Sequence, residues 1–275
     1  MRHIVRVAAI ALIAASCSQS RTYPSRMFTW SGEIAPGGSV NVRNIDGAIA
    51  IIPSESAKLT VDAQILNAAP GAVEVRQAKS GSDVLFCTMF KPRADDTCGA
   101  EGHHRDVSIS PFSFFNRKHS ITVRYTLHVP TGVTVDVETV NGKIAAQNVG
   151  GNVKASTVNG DIAVSTIKGT VNAETVNGSI IASMASLPDS GNVHLETVNG
   201  SITSVIPEGI GGAIDLENQN GTITANYPNA APDSSNKHHM RIKLDEGKRR
   251  VTLETVNGAV NLTKYVKTAL VSLVW

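Results

Sequence analysis

From Phe28 onward the chain alternates apolar and polar residues with few interruptions. Ser39-Val40-Asn41-Val42-Arg43, Ala72-Val73-Glu74-Val75 and Ile121-Thr122-Val123-Arg124-Tyr125-Thr126-Leu127-His128-Val129 show the pattern, with Gly, Asn or Pro punctuating the stretches between. A period of two between turn residues predicts half-buried strands. Past the signal-like first sixteen residues no stretch carries a convincing helical period, so the predicted class is all-β. Two stretches interrupt the alternation. Residues 91–119 are polar and end in Pro111-Phe112-Ser113-Phe114-Phe115, which predicts a cap over one end of the fold; residues 227–249 form the second insert. Inside the latter, Met240–Leu244, the turn Asp245-Glu246-Gly247-Lys248 and Arg249–Leu253 read as a hairpin. The closing Val266–Trp275 run is apolar, too short to cross a bilayer, and predicts a final strand or cap.

A five-residue phrase recurs along this pattern. It reads Glu138-Thr139-Val140-Asn141-Gly142, Ser156-Thr157-Val158-Asn159-Gly160, Glu174-Thr175-Val176-Asn177-Gly178, Glu196-Thr197-Val198-Asn199-Gly200 and Glu254-Thr255-Val256-Asn257-Gly258. A decayed copy stands at Glu217-Asn218-Gln219-Asn220-Gly221 and a distant one at Arg43-Asn44-Ile45-Asp46-Gly47. From Asn141 to Asn257 the gaps are 18, 18, 22, 21 and 37 residues. A period near 20 means one structural unit repeated, each copy burying a face on the next.

Asn-Gly between alternating segments suits a type I′ hairpin, so one model is an antiparallel meander or sandwich. Side-chain phase points elsewhere. Val135, Val137 and Thr139 share one face before the turn and Ile144 and Ala146 continue it afterwards, with Asp136 and Glu138 in the alternate slots. A two-residue hairpin would put Val140 on the exposed face beside Glu138. That slot holds Val140, Val158, Val176, Val198 and Val256, with Gln219 dissenting. Read as a buried column, these valines require a bend after each threonine, which is the corner of a coil. The preferred fold is a β-solenoid, parallel β-helix-like, with coils of about 18–22 residues and like residues about 4.8 Å apart. The corner residues Asn141, Gly142, Asn159, Gly160, Asn177, Gly178, Asn199, Gly200, Asn220, Gly221, Asn257 and Gly258 are expected to form a structural ladder, turning in the left-handed backbone conformation.

Composition supplies an address. A basic start, an apolar stretch from Val7 to Ala15 and the ending Ala14-Ala15-Ser16-Cys17 describe a secretory signal of lipoprotein type over residues 1–16. Cys17 would carry the lipid, residues 17–27 would form a tether, and residues 28–275 a single domain with inserts at 91–119 and 227–249. The motif usually has a large aliphatic where Ala14 stands, and ordinary cleavage after Ser16 is the alternative. Removal of residues 1–16 lowers Lys+Arg from 25 to 23 against 23 Asp+Glu. A neutral mature chain excludes nucleic acid or an anionic membrane surface as main partner. Cys87 and Cys98 then remain as a pair, and an oxidising compartment predicts a disulfide. A zinc site with His103 or His104 is the alternative, but it lacks paired C-x-x-C knuckles.

Residues 37–49 (Gly-Gly-Ser-Val-Asn-Val-Arg-Asn-Ile-Asp-Gly-Ala-Ile), then Tyr125-Thr126-Leu127-His128-Val129-Pro130-Thr131-Gly132, lead into the Thr-Val-Asn-Gly copies. In that order they resemble the bacterial putative-adhesin domain family of unknown function, over about residues 28–265. The resemblance implies an exported β-solenoid, often tethered to lipid or membrane, with no catalytic residues to carry over.

The remaining chemistry is sparse. Glu138, Glu174, Glu196, Glu217 and Glu254 would stack as an outward column, with Ser156 interrupting. Such a line of like charge is screened by water and salt or, as the sharper idea, by weakly held divalent cations or a basic partner. No nucleophile elbow, zinc helix or phosphate loop is present, and no cofactor or metal site is predicted. Asp136, Glu138, Lys154 and His194 are the candidates for a polysaccharide-acting β-helix enzyme, yet each also suits an exposed repeat slot. The reading is a non-enzymatic envelope or cell-surface lipoprotein, outer-membrane or periplasmic, binding a protein or glycan partner or serving as scaffold. Its membrane contact would be the lipid alone. The rivals are that enzyme and a structural or regulatory envelope module without a ligand.

Overall fold

The computed structural model describes residues 23–92, 97–98, 121–189, 191–227, 232–244 and 247–265, with the backbone alone at 232–235. The expectations for residues 1–16, Cys17, His103, His104, the Phe112–Phe115 cap and Val266–Trp275 lie outside them. The amino-terminal part contributes β1 (Arg26–Glu33), β2 (Ser39–Arg43), β3 (Ile49–Pro53), β4 (Lys58–Leu66), β5 (Val73–Ser80), β6 (Asp83–Phe90) and β7 (Thr122–Val129). The repeats supply β8 (Thr134–Asn141) with β9 (Ile144–Val149), β10 (Val153–Asn159) with β11 (Ile162–Thr166), and β12 (Val171–Asn177) with β13 (Ile180–Met184). They continue as β14 (Val193–Asn199) with β15 (Ile202–Ile206) and β16 (Ala213–Asn220) with β17 (Ile223–Asn226). Next come β18 (Pro232–Ser235), β19 (His239–Lys243), β20 (Arg250–Asn257) and β21 (Val260–Lys264). β1 begins at Arg26, inside the stretch expected as tether.

The strands form two sheets. One runs β1-β4-β7-β3-β9-β11-β13-β15-β21-β17, the other β18-β19-β16-β20-β14-β12-β10-β8-β2-β6-β5. Through the repeats every pairing is parallel, and apart from one shift between β9 and β11 all are in register: Thr157 stands opposite both Thr139 and Thr175, and Asn159 opposite Asn141 and Asn177. Each repeat therefore makes one coil, a strand in each sheet joined at the Asn-Gly corner. This is the β-solenoid, and it excludes the hairpin meander. Antiparallel pairs occur at the two ends, β1–β4, β4–β7 and β5–β6 at one, β16–β19 and β18–β19 at the other. The inward positions close on one another as a core one side chain deep from each sheet. Val135, Val137, Ile144, Ala146, Leu195, Ile202 and Leu253 are fully buried.

Two expectations about the corner are corrected. The valine column is not buried: Val140, Val158 and Val176 are 38–40 % exposed. Only the threonine turns inward; the alternation ends there, and Val140 and Asn141 both face outward. The valines recur because each covers the next along a parallel ladder, where β-branched neighbours pack well. The parallel stack stands, but not for the reason that predicted it. Nor do the corner asparagines take the left-handed conformation; the non-glycine residues with positive φ are Asn67, Lys91 and Asn148 among the described residues. Glycine is required by crowding between coils. A Cβ on Gly160 would lie 2.1 Å from the Gly142 oxygen, and on Gly178 2.0 Å from the Gly160 oxygen.

Coil order departs from chain order at the carboxyl-terminal end. β20 pairs with β14 on one side and β16 on the other, and β21 likewise sits between β15 and β17. The last coil is thus inserted into the stack rather than added to its end. The predicted hairpin of Met240–Leu253 does not form. β19 and β20 flank β16 instead, β19 antiparallel and β20 parallel to it. The decayed repeat explains this order. At β16 Asn218 replaces the inward threonine and its carboxamide oxygen meets His238 Nδ1 at 3.3 Å. Such a coil suits an end position, whereas the intact phrase of β20 meets the demands of an interior one. Cys87 and Cys98 are joined in a disulfide, as expected.

Candidate binding surface

The outer face of the eleven-stranded sheet is built from columns, one residue per coil. The first is the asparagine ladder. Asn159 Nδ2 donates to Asn141 Oδ1 at 2.8 Å, Asn177 to Asn159 and Asn199 to Asn177 at 2.9 Å. Asn257 then donates to Asn199 at 2.9 Å and Asn220 to Asn257 at 3.0 Å, following the inserted order. Asp46 accepts from Asn141 at 2.6 Å and ends the ladder. Each amide spends one donor and one acceptor on its neighbours, so the column is structural before it is anything else. Behind it runs a second ladder that sequence reasoning missed. The threonine hydroxyls of Thr157, Thr175, Thr197 and Thr255 donate to the carbonyls of Gly142, Gly160, Gly178 and Gly200 at 2.8–3.1 Å. The invariant phrase was the available signal; its meaning needed the stacking direction.

The valine row comes next, and outside it the glutamate column. Register places Arg43, Glu138, Ser156, Glu174, Glu196, Glu254, Glu217 and His239 side by side in that spatial order. Each edge of this line brings a basic side chain to a glutamate: Arg43 Nε lies 3.3 Å from Glu138 Oε2, and His239 Nε2 3.6 Å from Glu217 Oε1. His194 Nε2 approaches Glu196 Oε2 at 3.3 Å. Glu254, in the middle, has its carboxyl pushed above the ordinary range, first by burial and then by Glu217, with His194 opposing and Glu196 and Asp215 adding. Among the described residues no three His, Cys, Asp or Glu side chains converge as a metal-ligand group. The column is an extended line of charge rather than a coordination sphere.

The candidate acids and bases of an enzyme sit on this same face. Asp136, Lys154 and His194 occupy one column, two residues from the glutamates. Arg43 Nη1 binds Asp136 at 3.0 Å and Lys154 Nζ lies 3.9 Å from it, so Asp136 and Glu138 share a guanidinium. Their neighbours hold them in ion pairs along the sheet. β18 and β19 of the second insert extend this sheet beyond β16, and β6 ends at Phe90, just before the first.

The opposite sheet is of another character. Its outer positions from β3 to β17 are mostly small and almost free of charge, and a shallow depression of about 110 Å³ lies there between Ala50, Ile52, Ala145 and Gln147. No curated protein matches the sequence. Among solved structures the chain is similar to one described as a putative cell adhesion protein from Clostridium sporogenes. The identity is 9 %, the TM-score 0.48, and the match covers 88 % of this chain and 100 % of that one. A putative adhesin from Bacteroides fragilis is similar at 10 % identity and TM-score 0.32, over 87 % of this chain and 97 % of that one. The family model described as Toastrack DUF4097 matches residues 37–263, most of the chain, and the protein belongs to that family.

Proposed function

We propose that this protein is a non-enzymatic binding module of the bacterial envelope, exported, held by a lipid on Cys17, and presenting the outer face of its eleven-stranded sheet to a protein or glycan partner. The observation that carries the reading is that face itself. Parallel columns of amide, valine and carboxylate side chains run in register over the six coils from β8 to β16, the valines broken by Gln219 and the carboxylates by Ser156. A flat surface with a linear pattern suits an extended partner, and its unpaired glutamates favour one bearing positive charge. The signal-like start and the Cys87–Cys98 disulfide support an oxidising, extracytoplasmic location.

Two experiments test the reading. Intact mass of the membrane-extracted protein should show a lipid-modified chain beginning at Cys17; an unmodified chain there removes the anchor. Purified protein lacking the lipid should still co-sediment with isolated envelope fragments, and Glu174→Lys with Glu196→Lys should weaken this about tenfold or more. Unchanged co-sedimentation of the double variant would take the partner away from this face.

A further inference from the structure

The ten-stranded sheet turns an unusual face outward. From β3 through β9, β11, β13, β15 and β21 to β17, seven neighbouring strands, no outward side chain carries a charge except Lys264 at the very end of β21. One outward column reads Ala50, Ala145, Ala163, Ile181, Thr203 and Asn261 in register. The next holds Ser165, Ser183, Val205 and Thr263. The charges at its margins are paired with one another, Lys143 with Asp161 at 3.3 Å and Lys264 with Glu208. On the other sheet every coil from β8 to β16 places an acid, a lysine or a histidine on the outer face. Relief is equally specific. Ile181 stands 38 % exposed, and two and three strands away the alanines Ala145 and Ala50 leave the shallow depression.

We propose that this face is an interface between two copies of the chain, packed sheet on sheet about a two-fold axis lying in the interface along β11. That axis reverses the order of strands and preserves the position along each. Ile181 of one copy then meets the Ala145 side of the depression in the other, Thr203 meets Ala50, Val205 meets Ile52, and Ser165 meets its own counterpart. A knob and its hole on one surface is the requirement for a closed isologous pair. From β3 to β15 the apposed faces carry no charge; at the rims β7 brings Arg124 and His128 against the uncharged Ala259 and Thr263 of β21, and Asp161, paired with Lys143, faces its own counterpart. The overlap from β7 to β21 spans seven strands. At about 4.8 Å between strands and about 3.3 Å per residue it measures roughly 34 by 16 Å. That buries on the order of 1,000 Å² over both copies, the lower bound for a specific and reversible interface. Small and β-branched side chains lose little rotamer freedom on packing, so a modest area suffices for a weak dimer.

Sedimentation velocity on the isolated full chain, from low to high micromolar, reads the proposal. The expected result is a concentration-dependent dimer that high salt leaves intact, since no exposed ion pair holds it. Ile181→Asp and Thr203→Lys should each weaken it about tenfold or more, while Val158→Ser on the opposite sheet leaves it unchanged. Both positions face outward, and a matching melting temperature shows that either variant is folded; should one fail, the other reads the same face. A chain that stays monomeric throughout overturns the proposal. So does a dimer indifferent to both substitutions, or one that salt dissolves. The envelope co-sedimentation of the preceding section depends on the other sheet and is read separately.

Discussion

Gly178 shows how closely the coils approach. A methyl group there would sit 2.0 Å from the Gly160 oxygen, against backbone that cannot yield without moving the next coil. Gly178→Ala should therefore cost about 3 kcal/mol, the upper end of the usual range for overpacking. Thr175→Val is a milder probe of the same corner. It removes the hydroxyl bonded to the Gly160 carbonyl at 3.0 Å and should cost about 1 kcal/mol. Urea unfolding of both variants distinguishes crowding from hydrogen bonding as the reason for the phrase. Glu254 makes a prediction in pH. Its carboxyl is raised in the folded state, by burial and then by Glu217, so the native chain holds that proton to higher pH than the unfolded one does. The group's stabilisation is then complete below its ordinary carboxyl range and is lost as pH rises through the raised value. Glu254→Gln should melt higher than the native protein at neutral pH and lose that advantage as the solution is acidified; an equal or lower melting temperature at neutral pH contradicts the assignment.

At the scale of elements, the coil of β20 and β21 decides most. Leu253 lies between Leu195 and Leu216 in register and is fully buried. Leu253→Ala should cost about 3 kcal/mol, as for an interior leucine elsewhere, although it stands near the end of the chain. In hydrogen exchange β20 should rank with β12 and β14 in protection, not with a fraying terminus. The disulfide closes a separation of 11 residues between Cys87 and Cys98. Its reduction should lower stability by about 3 kcal/mol on a chain-entropy argument, read by thermal melts with and without reductant. Much of this level was legible beforehand. Alternation marked the strands of the repeats, and the recurring phrase marked one coil per copy, because both are local and periodic. The order of coils was not legible. The gap of 37 residues before Asn257 is as compatible with a long loop to the end of the stack as with a return into its middle. Only pairing chooses between them, through the decayed Glu217–Gly221 copy that closes the stack and the intact Glu254–Gly258 copy that fills it. Val140 misled for a related reason: repetition was read as burial, when like residues also recur simply because they stack.

At the scale of the molecule, the two sheets divide the surface by chemistry. One outer face carries amide, valine and carboxylate columns, and the other is almost free of charge from β3 to β17. The first was visible in the sequence as a set of repeat slots. The contrast was not, since it needs both strands of each coil to be assigned a direction. Both faces exist as continuous surfaces only if the coils stack as β12, β14, β20, β16 and, on the other side, β13, β15, β21, β17. That stacking is the central claim, and paired cysteines test it directly. Glu196 and Glu254 are register partners on adjacent strands, while β20 separates Glu196 from Glu217. Neighbouring strands lie about 4.8 Å apart and next-nearest strands about twice that, beyond disulfide reach. Under mild oxidation, Glu196→Cys with Glu254→Cys should form a mapped disulfide in high yield, and Glu196→Cys with Glu217→Cys should not. The reverse outcome, with 196 bridged to 217 and not to 254, would place the coils in simple chain order and contradict the account.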